Sequence, residues 1–257
     1  MSSTKASTSF PLRLTFSLLL ADARNVTRDN LLAFLIGSPL LIALIFRFAM
    51  PDTAALAQVV DTYPQLESLV DARGPVLMSI VVSMSAGLIG AVYGLLLVDE
   101  RDERTLTALR VMPVSFAHYL FARLATPCLM SILVIVAAYP VAGLAPLPLP
   151  TVAIIAMAGA TTVPVVTLTI AAFAPNKVAA LAIMRVANAF LALPILAYFA
   201  SPLQEILAWP VPSFWQMKAL WLATEGQPYQ LALLLTPALN VPLTLWLYQR
   251  FARRSEA

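Results

Sequence analysis

The sequence predicts an all-α integral membrane protein. Six transmembrane helices follow an N-terminal interfacial helix, with a short cytoplasmic helix after the second span and short outer helices between the fifth and sixth. Three observations predict it. Of 257 residues, 60% are hydrophobic and 11% charged, less than half the roughly one-quarter charged share of soluble domains. Six apolar runs reach or approach the roughly 20 residues that cross a hydrocarbon core. Lysines and arginines gather on one set of connecting segments, the asymmetry that orients membrane proteins.

The runs lie at about 31–49, 76–98, 122–142, 151–173, 178–199 and 230–248. They lack period-2 alternation and exceed barrel-strand length, so they read as helices. Pro39, Pro140, Pro164, Pro194, Pro237 and Pro242 fall inside them, and in a bundle neighbouring helices can satisfy a freed carbonyl, so kinks are expected rather than breaks. With both termini cytoplasmic, twelve basic residues lie inside: Lys5, Arg13, Arg24, Arg28, Arg101, Arg104, Arg110, Arg123, Lys177, Arg250, Arg253 and Arg254. Only Arg73 and Lys218 lie outside, with Arg47 and Arg185 in or at the edge of spans.

The organisation that follows is a cytoplasmic tail and interfacial helix at 1–30, a six-span domain at 31–248 and a cytoplasmic tail at 249–257. Before the first span, Leu12, Phe16, Leu19, Leu20, Ala23 and Val26 share one helical face and Arg13, Ser17 and Arg24 the other, as suits a helix lying in the interface plane. In the outer segment 200–229, Trp209, Trp215 and Trp221 are punctuated by prolines. Tryptophan favours the membrane–water boundary, so this segment reads as short re-entrant or surface helices. Ser83, Gly87, Gly90, Ala91 and Gly94 give the second span small-residue faces for close helix packing.

Charge is concentrated in the loop 99–115. Six charged side chains in succession, Asp99 to Arg104, open it, and each would cost about 2.5–3.5 kcal/mol at the bilayer centre, which places them in water. A stop to the second span needs fewer charges, and acidic ones contribute little to orientation. Thr105 is placed to cap a short helix that Pro113 ends, and Leu106, Leu109 and Met112 form its apolar ridge. Glu100 and Arg104 are spaced to pair across one helical turn. The ridge either docks on another protein or rests on lipid headgroups.

These residues carry a resemblance. The stretch Glu100-Arg101-Asp102-Glu103-Arg104-Thr105 followed by Pro113-Val114 resembles the second-loop signature of ABC-2-type exporter permeases, in its Glu-Arg-Thr form the drug-export or fluoroquinolone-export branch. Met112 stands where that family usually has Thr or Ser. "NKVAALAIMRVANAFLALPIL" at 176–196 is similar to the family's fifth span and "PVPSFWQMKALW" to the segment before its sixth. The resemblance implies a permease in a bacterial inner membrane, paired with a second permease half and with a separate ABC ATPase subunit. It also implies that Glu100, Glu103, Arg104, Thr105, Leu106 and Leu109 form a coupling element to that ATPase. ATP and Mg would then reside on the partner, with no cofactor on this chain.

The remaining residues agree. The sequence contains no phosphate-binding G-x-x-x-x-G-K-[ST] loop, and its lysines, Lys5, Lys177 and Lys218, lie far from any such pattern. One cysteine and one histidine exclude a disulfide framework and a Cys/His metal cluster. No basic stripe of the nucleic-acid-binding kind exists. An ion-coupled secondary multidrug transporter is the alternative, but that class keeps carboxylates at mid-membrane and no Asp or Glu falls within the six runs. Arg185 lies eight residues beyond Lys177, and it either lines an inner vestibule together with Asn188 or snorkels to headgroups. Thr161, Thr162, Thr167 and Asn240 are the polar candidates for cargo contact, although threonines in spans commonly bond back to their own helix.

Overall fold

The computed structural model describes residues 30–51, 53–102, 116–145 and 147–256, and every regular element among them is helical. In chain order these are α1 (Asn30–Ala49), α2 (Thr53–Thr62), α3 (Glu67–Asp102), α4 (Phe116–Ala142), α5 (Leu149–Gly159), α6 (Thr162–Phe173) and α7 (Lys177–Ala192). A tight 3-10 stretch, Leu193–Phe199, leads to the single turn α8 (Pro202–Glu205), then α9 (Phe214–Thr224) and α10 (Gln230–Glu256). Among the described residues five helical paths are long and apolar enough to cross a membrane, and Ala33–Ala49 within α1 is a shorter apolar helix. The interfacial helix expected within 1–30 lies outside the described residues.

α3 is the axis of the bundle. Its 36 residues extend about 54 Å at 1.5 Å per residue, well beyond the hydrocarbon core. Of its most apolar stretch 78% is buried, against 17% for the path through α7 and 22% for α10. The small-residue faces expected of this span explain the close fit. An added Cβ at Gly90 would come within 2.9 Å of the Val163 carbonyl oxygen, and one at Gly94 within 2.9 Å of Ile170 Cβ. α6 therefore lies directly on α3. Thr167 Oγ1 closes the contact by donating to the Gly90 carbonyl at 2.9 Å, across the helices rather than back along its own.

Two proline positions interrupt helices that the sequence predicts to be merely kinked. Pro164 has no N–H for the Ala160 carbonyl, and its ring would clash there if the helix ran straight through. The span at 151–173 accordingly breaks at Ala160–Thr161, and Pro164 falls in the first turn of α6, where proline is tolerated. The Ala160 carbonyl accepts from Val163 N at 3.1 Å and from Cys128 Sγ at 3.4 Å. Pro194 likewise ends α7 two residues earlier, and the run to Phe199 tightens into 3-10 geometry. The Leu191 carbonyl at this transition accepts from the hydroxyls of Ser83 at 3.2 Å and Ser213 at 2.7 Å. In α10, Pro237 and Pro242 leave the helix continuous.

The segment between the fifth and sixth apolar paths enters the bundle. α9 buries Phe214, Gln216, Met217, Leu220 and Trp221, and Trp221 Nε1 donates to Ser79 Oγ of α3 at 2.7 Å. Of the three tryptophans predicted at the interface, Trp221 is therefore a core residue, while Trp209 is 44% exposed and stacks near Trp215. Burying an indole requires a partner for its N–H, and Ser79 supplies it.

Candidate functional site

The charged end of α3 is the first place where function and fold meet. The sequence predicts a loop from Asp99, but Asp99, Glu100, Arg101 and Asp102 continue α3 as its last turn. The helix persists because these charges have partners on neighbouring helices and do not need water alone. Glu100 accepts from Tyr119 Oη at 2.6 Å and from Arg123 Nη2, both on α4. Arg101 donates to the carbonyls of Ala171 at 3.1 Å and Ala174 at 2.8 Å. It thereby caps the end of α6, where a cation also suits the helix dipole. Asp99 accepts from Lys177 Nζ in the first turn of α7 at 2.8 Å.

Three successive side chains thus bind three different helices. They differ in environment: the side chains of Arg123 and Glu100 are 6% and 20% exposed, whereas Lys177 is 62% exposed. The Arg123 guanidinium also lies 5.8 Å from the Tyr93 ring centroid. Around this knot Leu97, Tyr119, Leu120, Leu168, Leu247 and Phe251 form a buried apolar cluster. Nearby, Arg250 stacks 4.3 Å above the Phe173 ring. Residues 103–115 continue directly from the knot. Glu103, Arg104, Thr105, Leu106 and Leu109 lie outside the described residues, so of the six coupling candidates the structure places Glu100 alone. Tyr119 and the pairing role of Arg123 escape sequence reading, because Glu100 meets them only through tertiary packing. Their spacing of four residues, one helical turn, is the sole signal in the sequence.

A second polar cluster lies at the break between α5 and α6. Asn240 Nδ2 of α10 donates to Thr161 Oγ1 and Thr162 Oγ1, each at 3.0 Å, and to the Pro212 carbonyl at 3.3 Å. Gln216 of α9 occupies the space beside Gly159, where a Cβ would overlap its side-chain amide. Asn240 Oδ1, Gln216 Nε2 and Ser131 Oγ are buried without a hydrogen-bond partner among the described residues. Of the residues named from sequence as cargo candidates, Thr161, Thr162 and Asn240 are thus turned on one another where the helix is interrupted, while Thr167 bonds to α3.

Arg185 and Asn188 diverge. Arg185 is exposed on the single chain, about 12 Å along α7 from Lys177. Asn188 is half-buried, fills the notch that Gly87 leaves in α3, and donates to the Met184 carbonyl at 3.0 Å. Among the described residues no group of three His, Cys, Asp or Glu could hold a metal ion.

A largely helical chain with several membrane-crossing paths, polar groups at an interrupted helix and a charged knot at one end defines a multi-pass membrane protein. The comparisons specify which. The family of fluoroquinolones export permease protein Rv2686c-like proteins matches residues 22–248, and the chain belongs to this family of ABC-2-type exporter permeases. It is accordingly a transport subunit and not an enzyme. Two relatives from Mycobacterium tuberculosis, the fluoroquinolones export permease proteins MT2760 (strain CDC 1551 / Oshkosh) and Rv2686c (strain ATCC 25618 / H37Rv), are each 29% identical over 238 residues, covering 90% of either chain. No solved structure matches.

Proposed function

We propose that the chain is one half of an ATP-driven exporter. Six spans cross a bacterial inner membrane with both termini cytoplasmic, and a second permease half completes the pathway. A separate ABC ATPase binds the segment that begins at Glu103. The observation that carries this reading is the charged knot. A push on residues 103–115 has a short path into α4, α6 and α7 at once, because Glu100, Arg101 and Asp99 each bind a different helix. The coupling element then divides by role: Glu103, Arg104, Thr105, Leu106 and Leu109 contact the ATPase, and Glu100 transmits.

The outward face of α7 supports pairing. Val178, Val186 and Phe190 are exposed there, as is Arg185, whose charge at that depth belongs on a wet cavity or a protein surface rather than on lipid. We assign Arg185 to the shared inner vestibule and Asn188 to packing. The names of the relatives point to fluoroquinolones or similar amphipathic drugs as cargo.

Affinity purification from membranes tests the reading. An ATPase should co-purify with the wild-type chain and be lost from a Glu103→Lys/Arg104→Glu variant that still inserts normally. A chain that brings down no ATPase and still moves cargo after ATP is exhausted would refute it and favour the ion-coupled alternative.

A further inference from the structure

The end of α3 opposite the knot carries a different arrangement. Arg47, near the end of α1, and Arg73, near the start of α3, line one open cavity of about 1040 Å³. Phe48, Tyr139, Leu144 and Leu149 are also in its wall. Arg73 donates to the Val70 carbonyl at 3.3 Å, and Arg47 reaches the Val141 carbonyl at 3.4 Å. Neither forms an ion pair among the described residues. Tyr139 is only 4% exposed, and its buried hydroxyl has no partner among them. Asp71 and Glu225 line a smaller adjoining recess of about 280 Å³, which Arg73 also borders.

Gly143, Leu144 and Ala145 form part of this wall and pack closely on α1 and α3. Gly143 has φ +62°, and a Cβ on it would come within 2.9 Å of Arg47 Nη1. Gly74 allows the Leu144 carbonyl to approach so closely that a Cβ would lie 2.6 Å from its oxygen. Arg47, Arg73 and Tyr139 therefore share the wall of a space whose other lining residues are apolar. Guanidinium is the donor best matched to phosphate, through paired N–H bonds, and a free hydroxyl adds a further donor. The apolar walls suit acyl chains and give a soluble phosphate nothing to bury.

We infer that this cavity binds the phosphate headgroup of an anionic phospholipid, held by Arg47, Arg73 and Tyr139, with its acyl chains along Phe48 and Leu149. The site belongs to the membrane-embedded chain itself and does not depend on the coupling assignment above. Native mass spectrometry of the purified, delipidated full-length chain tests it, with equimolar phosphatidylglycerol and phosphatidylcholine of identical acyl chains as probes. The wild-type protein should retain phosphatidylglycerol in about tenfold preference, because both lipids offer a phosphate but only phosphatidylcholine adds an ammonium that the two guanidinium groups repel, at a cost of about 1.4 kcal/mol. Arg47→Gln/Arg73→Gln should erase that preference, and Tyr139→Phe should reduce it, with elution and melting unchanged. Arg250→Gln/Arg253→Gln, at the other basic recess, should leave it intact. Equal retention of the two lipids by wild type, full preference in the double arginine variant, or loss of preference in the Arg250/Arg253 variant would overturn the inference. Displacement of the lipid by millimolar inorganic phosphate would also overturn it, by showing a soluble-anion site instead.

Discussion

The two ends of α3 carry similar side chains and use them in opposite ways. At Asp99–Asp102 the charges are bound to α4, α6 and α7, and the deepest pair is nearly out of solvent. At Arg73 the guanidinium donates to a carbonyl of its own helix and faces an open cavity. Between them lies a stretch of small residues against which α6 and α7 are pressed. A helix anchored at one end, close-packed in the middle and open at the other suits transmission from the anchored end. Charge at a helix end, taken alone, does not reveal which use it serves; the partners do.

Substitutions at the two ends of α3 and in its middle should differ widely in effect. The largest effect is expected from Glu100→Ala, which leaves Arg123 buried without its carboxylate. Removing one member of a buried pair costs about 3 kcal/mol or more, read as a large fall in melting temperature in detergent. Gly94→Ala tests the packed middle: a Cβ 2.9 Å from Ile170 Cβ and 3.1 Å from the Thr167 carbonyl oxygen should cost about 1–3 kcal/mol through overpacking. Gly37→Ala, with nothing within 4 Å, is the control and should be neutral or stabilising. Asp99→Asn breaks the exposed pair with Lys177 and should cost only about 0–1 kcal/mol, an amount that shrinks further in high salt. Smallest of all is Arg73→Gln, expected within about 0.5 kcal/mol of wild type, because it removes no inter-helix contact. A large loss of stability in Arg73→Gln, or none in Glu100→Ala, would invert the comparison.

Much of this architecture is legible in the sequence. Apolar runs of sufficient length mark the membrane-crossing paths, and the glycine spacing of α3 marks its close contacts. The charge run at Asp99 marks the knot but misreads as a loop. Its partners, Tyr119, Arg123, Lys177 and the carbonyls of Ala171 and Ala174, lie 19 to 78 residues away, where no local pattern links them. Pro164 and Pro194 are visible as disruptions, but whether a proline bends or breaks a helix depends on what receives the freed carbonyl. Here Cys128 donates to the Ala160 carbonyl that Pro164 frees, and Ser83 and Ser213 donate to the Leu191 carbonyl, next to the Phe190 carbonyl that Pro194 frees, each from another segment. Trp221 reads as an interface residue because composition does not reveal the Ser79 hydroxyl waiting beneath it. The grouping of Gln216 beside Gly159, and of Asn240 with Thr161 and Thr162, is likewise a product of packing.

If Glu100 transmits rather than docks, its loss should uncouple transport from hydrolysis without releasing the ATPase. The direct measurement is cargo moved per ATP hydrolysed, using a fluorescent fluoroquinolone and vesicles that contain the chain and its co-purified ATPase. It compares wild type with Glu100→Gln at matched protein levels. The Gln variant should keep its ATPase and continue hydrolysis while cargo per ATP falls by about tenfold, as expected when a charge-assisted contact of about 1.5–3 kcal/mol is lost from the path. Unchanged cargo per ATP in Glu100→Gln, with the Arg123 contact weakened and the ATPase still bound, would contradict a transmitting role for Glu100.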